Sequence, residues 1–138
     1  MATHTEVRIV DPKQVEWRNG GADKLVGQAT VHPISPAVGT EELKINAIYF
    51  EPGARFRPHS HPFDQILYYQ YGTGIVAVEG GEDIIVPEGN YVILPHDQVH
   101  MHGCTEDGPA LQLSLMRDTQ TTFDVECPPG WERWLPSA

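Results

Sequence analysis

Much that would make this chain easy to classify is missing from it. Only Cys104 and Cys127 occur among its 138 residues, too few for a disulfide framework. A reduced, cytoplasmic compartment is therefore expected, with one Cys104–Cys127 bridge left open as an alternative. No stretch approaches the ~18 consecutive apolar residues of a membrane helix. The opening "MATHTEVRIVDPK" has neither a basic n-region nor an apolar h-region, so no secretion signal is read there. Basic residues are few and scattered: nine Lys and Arg against 19 Asp and Glu, for a net charge of −10. Phosphate binding needs a concentrated cationic face, so nucleic acid is not an expected partner. The acidity reads as a solubility feature. No internal repeat of ~20–50 residues is visible, and no segment sustains a 3.6-residue period.

What the chain has instead is punctuation. Its 13 glycines and 12 prolines fall at short intervals, which favours many short strands over long helices. In "ELKINAIYFEPG", Leu43, Ile45, Ala47 and Tyr49 share one face and Lys44 and Asn46 the other, the period of a strand. Similar runs are "DQILYYQY", "GIVAVEG", "EDIIVP", "NYVILP", "QVHMHG" and "ALQLSLM", separated by turn signals such as "EGGED" and "TEDGP". This rhythm predicts one all-β domain over residues 1–138, an antiparallel sandwich or barrel. Residues 1–40 form an extended lead-in containing "EVRIV" and "KLVGQATVH", 41–118 the barrel, and 119–138 a tail. Trp131 and Trp134 in that tail are expected to cover a barrel edge or make a subunit contact.

Chemistry concentrates in "HSHPFDQILYYQYG", residues 59–72. In an extended chain, residues i and i+2 point the same way, so His59 and His61 project together. Gln65 shares their parity beyond a bend near Pro62. A second pair, His100 and His102, lies in "LPHDQVHMHG". If the two segments are neighbours, three or four imidazoles and an amide oxygen meet. That set suits a divalent transition metal. A solitary histidine is ordinarily structural, and His4, His32 and His96 are read so; two His-x-His pairs beside proline turns carry more weight. His59, His61, Gln65 and His100 are the candidate metal ligands. His102 is open as a further ligand, a supporting group or an acid–base catalyst, the last two preferred because four donors are already present.

Parity offers candidate walls for the cavity. Leu67, Tyr69 and Tyr71 share Gln65's face, Gln112 with Ser114 would make a polar wall, and Tyr49 and Met116 are further candidates; plain packing explains the tyrosines equally well. Cys104 reads as a small buried filler rather than a reactive thiol. Arg55 and Arg57 flank the first cluster. Arg57 has the parity of His59, so it either leans to the metal mouth, where it would grip a carboxylate, or faces solvent.

These two clusters carry a resemblance. The segment Gly53-ARFRP-His59-S-His61-PFD-Gln65-ILYYQY-Gly72 is similar to the first motif of the cupins, G-x5-H-x-H-x3,4-E-x6-G, with Gln for Glu. Gly89-NYVIL-Pro95-H-Asp97-QV-His100-MHG-Cys104 resembles the second, G-x5-P-x-G-x2-H-x3-N, with Asp97 for its glycine and Cys104 for its asparagine. The match spans residues 45–116. It implies a jelly-roll barrel of six to ten strands, metal on His59, His61, Gln65 and His100, and a homodimer. The glutamine makes the chain similar to small single-domain cupins, including manganese-dependent bacterial hydroxynitrile lyases and pectin-degradation cupins that linearise unsaturated uronates. In the hydroxynitrile lyases a base histidine lies where this chain has Gln112. That departure argues against cyanohydrin chemistry, since an amide cannot take a proton.

The glutamine has a consequence of its own. Three neutral imidazoles and a neutral amide leave a divalent ion its full +2 charge, a strong Lewis acid that attracts anionic or enolisable oxygen. The expected function is a metal-dependent lyase or isomerase acting on a small oxygenated, anionic substrate. Manganese stands first among manganese, iron, nickel and zinc. His102 or Tyr69 would move the proton, with Gln112 and Arg57 as further catalytic candidates. An iron dioxygenase in the same cage is the competing enzyme reading. A non-catalytic small-ligand or metal-binding protein is the other class, although no helix-turn-helix accompanies the barrel to make it a self-contained regulator.

Overall fold

Short strands joined by tight turns are what the punctuation builds. The computed structural model describes residues 9–21, 23–34, 42–117, 121–123, 128–129 and 131. A 3-10 turn, Pro12–Gln14, is capped by the Asp11 side chain, which accepts from the Lys13 amide. Eleven strands follow among the described residues: β1 Arg18–Asn19, β2 Leu25–Val26, β3 Ala29–Pro33, β4 Leu43–Phe50, β5 Arg55–Phe56, β6 Gln65–Tyr71, β7 Gly74–Val78, β8 Ile84–Val86, β9 Tyr91–Leu94, β10 His100–Cys104 and β11 Ala110–Arg117. One sheet has the order β1-β3-β4-β11-β6-β9 and the other β2-β5-β10-β7-β8. All pairings are antiparallel.

The expected all-β jelly roll is therefore present. Its strand count exceeds six to ten because β1, β2 and β5 are two-residue pieces. The core cluster draws on both sheets, with Phe50, Leu67, Tyr69, Val76 and Leu94 among its members. No described helix is long and apolar enough to cross a membrane.

Three departures from the strand reading have local causes. "KLVGQATVH" is not one strand: Gly27 takes φ +80 between β2 and β3 and sends the chain from one sheet to the other. A Cβ there would press on Ala54. In "EVRIV", Ile9 and Val10 form no strand, and residues 6–8 lie outside the described residues, as do His4, Trp134 and Cys127. Tyr71 leaves the face of Tyr69 because Leu111 pairs with Tyr71 while Gln112 pairs with Tyr69. The unpaired Gln70 is a bulge that inverts the alternation, and Tyr71 ends up 55% exposed.

On the outer face of β7 and β10, buried Trp131 packs against Ala77 and Met101. It covers the face of two inner strands of the smaller sheet rather than the expected barrel edge. Cys104 is a free, buried thiol whose Sγ contacts the Glu51 carbonyl.

The inner face of the larger sheet is ordered in rungs across β4, β11 and β6. Lys44, Met116 and Gln65 form one; Asn46, Ser114 and Leu67 the next; Ile48, Gln112 and Tyr69 the third. This corrects the facing of β4. Its interior side carries Lys44, Asn46, Ile48 and Phe50, whereas Leu43 is 51% exposed and Tyr49 only half-buried. Alternation fixes which residues share a face. It does not fix which face is inside when the interior holds a polar cavity.

Candidate metal centre

The two histidine clusters meet because the segment before β6 runs antiparallel to β10. His59 and His100 exchange both backbone hydrogen bonds, N to O at 3.0 and 2.9 Å. Their rings lie 4.5 Å apart, with His61 5.1 Å from His59 and 5.3 Å from His100. One ring nitrogen from each of the three lies within 4.8 Å of the others. All three are buried, and so is Gln65.

The loop before β10 holds this arrangement in place. The Asp97 amide donates to the His61 carbonyl at 2.7 Å. Asp97 adopts φ +62, the left-handed region that the motif's glycine would occupy and that Asp tolerates better than most residues. Nearby, Asp64 accepts from the His96 backbone and ring at 2.9 and 3.0 Å. That exposed pairing raises the His96 pKa and lowers that of Asp64.

Hydrogen bonding separates the outer from the inner end of each candidate ligand. His59 Nδ1 lies 2.6 Å from the Arg57 carbonyl and His100 Nδ1 3.1 Å from that of Gln98. His61 Nδ1 meets Thr121 Oγ1 at 3.1 Å. Gln65 Nε2 donates to Ser114 Oγ at 2.7 Å. On the inner side, His61 Nε2, His100 Nε2 and Gln65 Oε1 are buried with no hydrogen-bond partner. Buried polar atoms are seldom left unpaired, and ligating histidines characteristically anchor their second nitrogen to a carbonyl or similar group. The donor set fits a divalent ion.

Electrostatics agree. Burial lowers the pKa of His61 and of His100 from 6.5 to about 4. His59 falls well below 6.5, first through burial and then through the neighbouring His100. The imidazoles are neutral at pH 7, the form that ligates metal.

His102 stands apart from the converging trio. Its ring is 5.2 Å from His59, packs 5.1 Å from Phe56, and lines the same cavity. Burial holds its pKa well below 6.5, while the Gln112 amide pulls the other way. Gln112 Nε2 donates to the Tyr69 hydroxyl at 2.7 Å, and that hydroxyl donates to the Gly103 carbonyl at 2.8 Å. Burial pushes the Tyr69 pKa up. Tyr69 and Gln112 thus form a fully buried brace behind His102 rather than part of the cavity lining.

The cavity holds about 380 Å³ and is lined by His59, His61, Gln65 and His102 together with Ser114, Met116, Asn46 and Lys44. Arg57 is not among its lining residues; its guanidinium donates to the Asp23 carbonyl at 2.9 Å. Several contributors escape a reading of the sequence, Thr121, Phe123 and Lys44 among them. Thr121 and Phe123 arrive from the tail because Ser60 bridges Thr122, and no spacing in the chain signals that. Lys44 is legible as a parity partner of Asn46, but the amphipathic pattern puts that pair on the wrong side.

Comparisons with known proteins follow the same lines. The cupin domain family matches residues 47–116. An (R)-mandelonitrile lyase of Granulicella tundricola is 32% identical over 96 residues, covering 70% of this chain and 73% of that protein. A cupin-like protein from Thermotoga maritima superposes with a TM-score of 0.70 at 27% identity, over 86% of this chain and 84% of the other. KdgF from Halomonas sp. shares the fold, with a TM-score of 0.66 at 22% identity over 84% and 96%.

Proposed function

Because the chain belongs to the cupin domain family, we propose that it is a metal-dependent enzyme of lyase or isomerase type acting on a small oxygenated substrate. His59, His61, Gln65 and His100 hold one divalent ion, with manganese placed first among manganese, iron, nickel and zinc. The observation that carries this reading is that all four ligands are tethered at an outer atom, while His61, His100 and Gln65 each turn an unpartnered buried atom inward. When bound, the ion supplies Lewis acidity at a substrate oxygen, undiminished by any carboxylate ligand.

The remaining work falls to the chain's own side chains. His102, neutral and buried beside the cage, accepts a proton from the substrate and returns it. Gln112 positions that ring, with its amide nitrogen committed to Tyr69. Phe56 and Phe123 line the cavity beside His59 and limit water access. A cavity of about 380 Å³ lies near the lower end of the range for ligand pockets, roughly 300–1,000 Å³. We further propose a cytoplasmic homodimer, for which sedimentation should give twice the chain mass.

Elemental analysis of the purified protein tests the reading. One divalent ion per chain is expected, lost together on Gln65→Ala. Turnover should proceed without oxygen; oxygen consumption with iron bound would favour the dioxygenase instead. A folded protein that holds no metal overturns the proposal.

A further inference from the structure

The charge inside the cavity is opposite to that of the protein. Three of the nine Lys and Arg, namely Arg18, Lys24 and Lys44, line it, while none of the described Asp or Glu does, although the chain has 19 acidic residues against nine basic ones. Among the described residues, none of the three makes an ion pair. Lys24 Nζ lies 5.7 Å from the centroid of the Phe123 ring.

Lys44 is the member that fold and register place against the candidate cage. It shares a rung with Met116 and Gln65. Two strand spacings, about 10 Å, separate its backbone from that of Gln65, a gap that a lysine stem largely closes. Lys44, His61 and Gln65 line the same cavity. Lys44 is half-buried, whereas Arg18 and Lys24 stand exposed at the opening. Cations arranged this way draw an anion inward and leave it beside Lys44.

We propose that Lys44 is the specificity-determining residue for a second substrate carboxylate, so that the ligand is held at two points: a hydroxy-acid or keto-acid end at the histidine cage and a further carboxylate, on the next carbon arm, on the Lys44 ammonium. Arg18 and Lys24 form the cationic approach. The inference rests on the reading that His59, His61, Gln65 and His100 hold an ion. It separates this chain's substrate from a neutral cyanohydrin such as mandelonitrile. A charge-assisted hydrogen bond fixes the remote end, and cage contacts alone would bind a monofunctional ligand less well.

Two probes isolate the second point of contact. Malate carries a hydroxy-acid end and a further carboxylate; lactate has a methyl group in place of that carboxylate arm. Calorimetric titration of the manganese-loaded, full-length protein should show malate binding at least about tenfold tighter than lactate, the effect of one charge-assisted contact. Lys44→Met should remove most of that preference and leave lactate binding unchanged, while Lys44→Arg should retain it. Metal content and thermal melting are measured on the same samples. Wild type without metal overturns the cage reading. Metal-loaded, folded wild type that binds both probes equally overturns the Lys44 assignment alone, as does a Lys44→Met variant that keeps the full preference.

Discussion

Gln65 and Ser114 meet between β6 and β11, where Gln65 Nε2 donates to Ser114 Oγ over 2.7 Å. With its nitrogen spent there, the amide turns Oε1 toward the cage, where it has no other partner. Ser114→Ala removes the acceptor and leaves a buried N–H unpaired, at about 1–3 kcal/mol. The amide is then also free to flip. We expect a lower melting temperature for the metal-free protein and an ion affinity reduced about 10- to 100-fold. Competition with a chelator measures the second effect; an unchanged affinity would detach Ser114 from the metal site.

How far the sequence exposes this site depends on which physical rule each residue obeys. His59 and His61 are visible because an extended chain sends i and i+2 one way, and His100 because it repeats the pattern. That the two clusters pair is, from sequence, only a conditional. The reciprocal His59–His100 backbone bonds fulfil it. Lys44 is misplaced by pattern because a polar cavity reverses the usual sign of alternation on β4, with polar groups turned inward. Tyr71 is misplaced because a one-residue bulge cannot be read from hydrophobicity. Thr121 and Phe123 come from a tail with no periodicity at all, so tertiary contact alone reveals them.

Acid should weaken the metal-free protein in a defined window. His61 and His100 ionise near pH 4 in the folded state against an ordinary 6.5. Between these values the unfolded chain binds protons that the folded one refuses, so stability falls as pH drops. It should be flat above about pH 6.5 with respect to these groups and decline toward pH 4. Urea unfolding of chelator-treated protein at pH 7, 5.5 and 4.5 checks the sign. Bound ion should raise stability at pH 7 and be released across the same window, because protons compete for its ligands.

Gly74 guards the Tyr69–Gln112 brace. A Cβ at Gly74 would strike the Tyr69 ring, which is completely buried and hydrogen-bonded at its hydroxyl. Gly74→Ala should therefore cost at least about 1–3 kcal/mol through overpacking. Gly108 supplies the control, because a methyl group added there would meet nothing within 4 Å and its φ is not positive. Gly108→Ala should unfold at the wild-type urea concentration or slightly above it.

His102 and Tyr69 should separate by phenotype. The Tyr69 hydroxyl is committed to Gln112 and Gly103, and burial keeps it protonated. Tyr69→Phe is expected to lower stability by about 1–3 kcal/mol and leave metal content intact. His102→Leu should keep both fold and ion yet cut turnover by about 10²- to 10⁴-fold, the usual worth of a general acid–base. Thermal melts, elemental analysis and turnover on the same samples distinguish the two. Metal loss in His102→Leu would make that histidine a ligand instead.

Replacing Gln65 by Glu changes charge with almost no change of shape. The side chain keeps its reach to the cage, and Ser114 can donate to a carboxylate as readily as it accepts from an amide. The donor set gains one negative charge, so the ion should be held more tightly and its net charge presented to ligands should fall from +2 to +1. Lys44, on the same rung as residue 65, would be drawn toward the new carboxylate and away from the substrate. Both malate and lactate should therefore bind more weakly to the manganese-loaded Gln65→Glu variant. Malate should lose more, because it depends on Lys44 as well as on the cage. Calorimetry with both probes measures this. Wild-type affinities for ion and lactate together would show that residue 65 does not touch the ion, while equal losses for the two probes would leave Gln65 in the cage and remove Lys44 from substrate recognition.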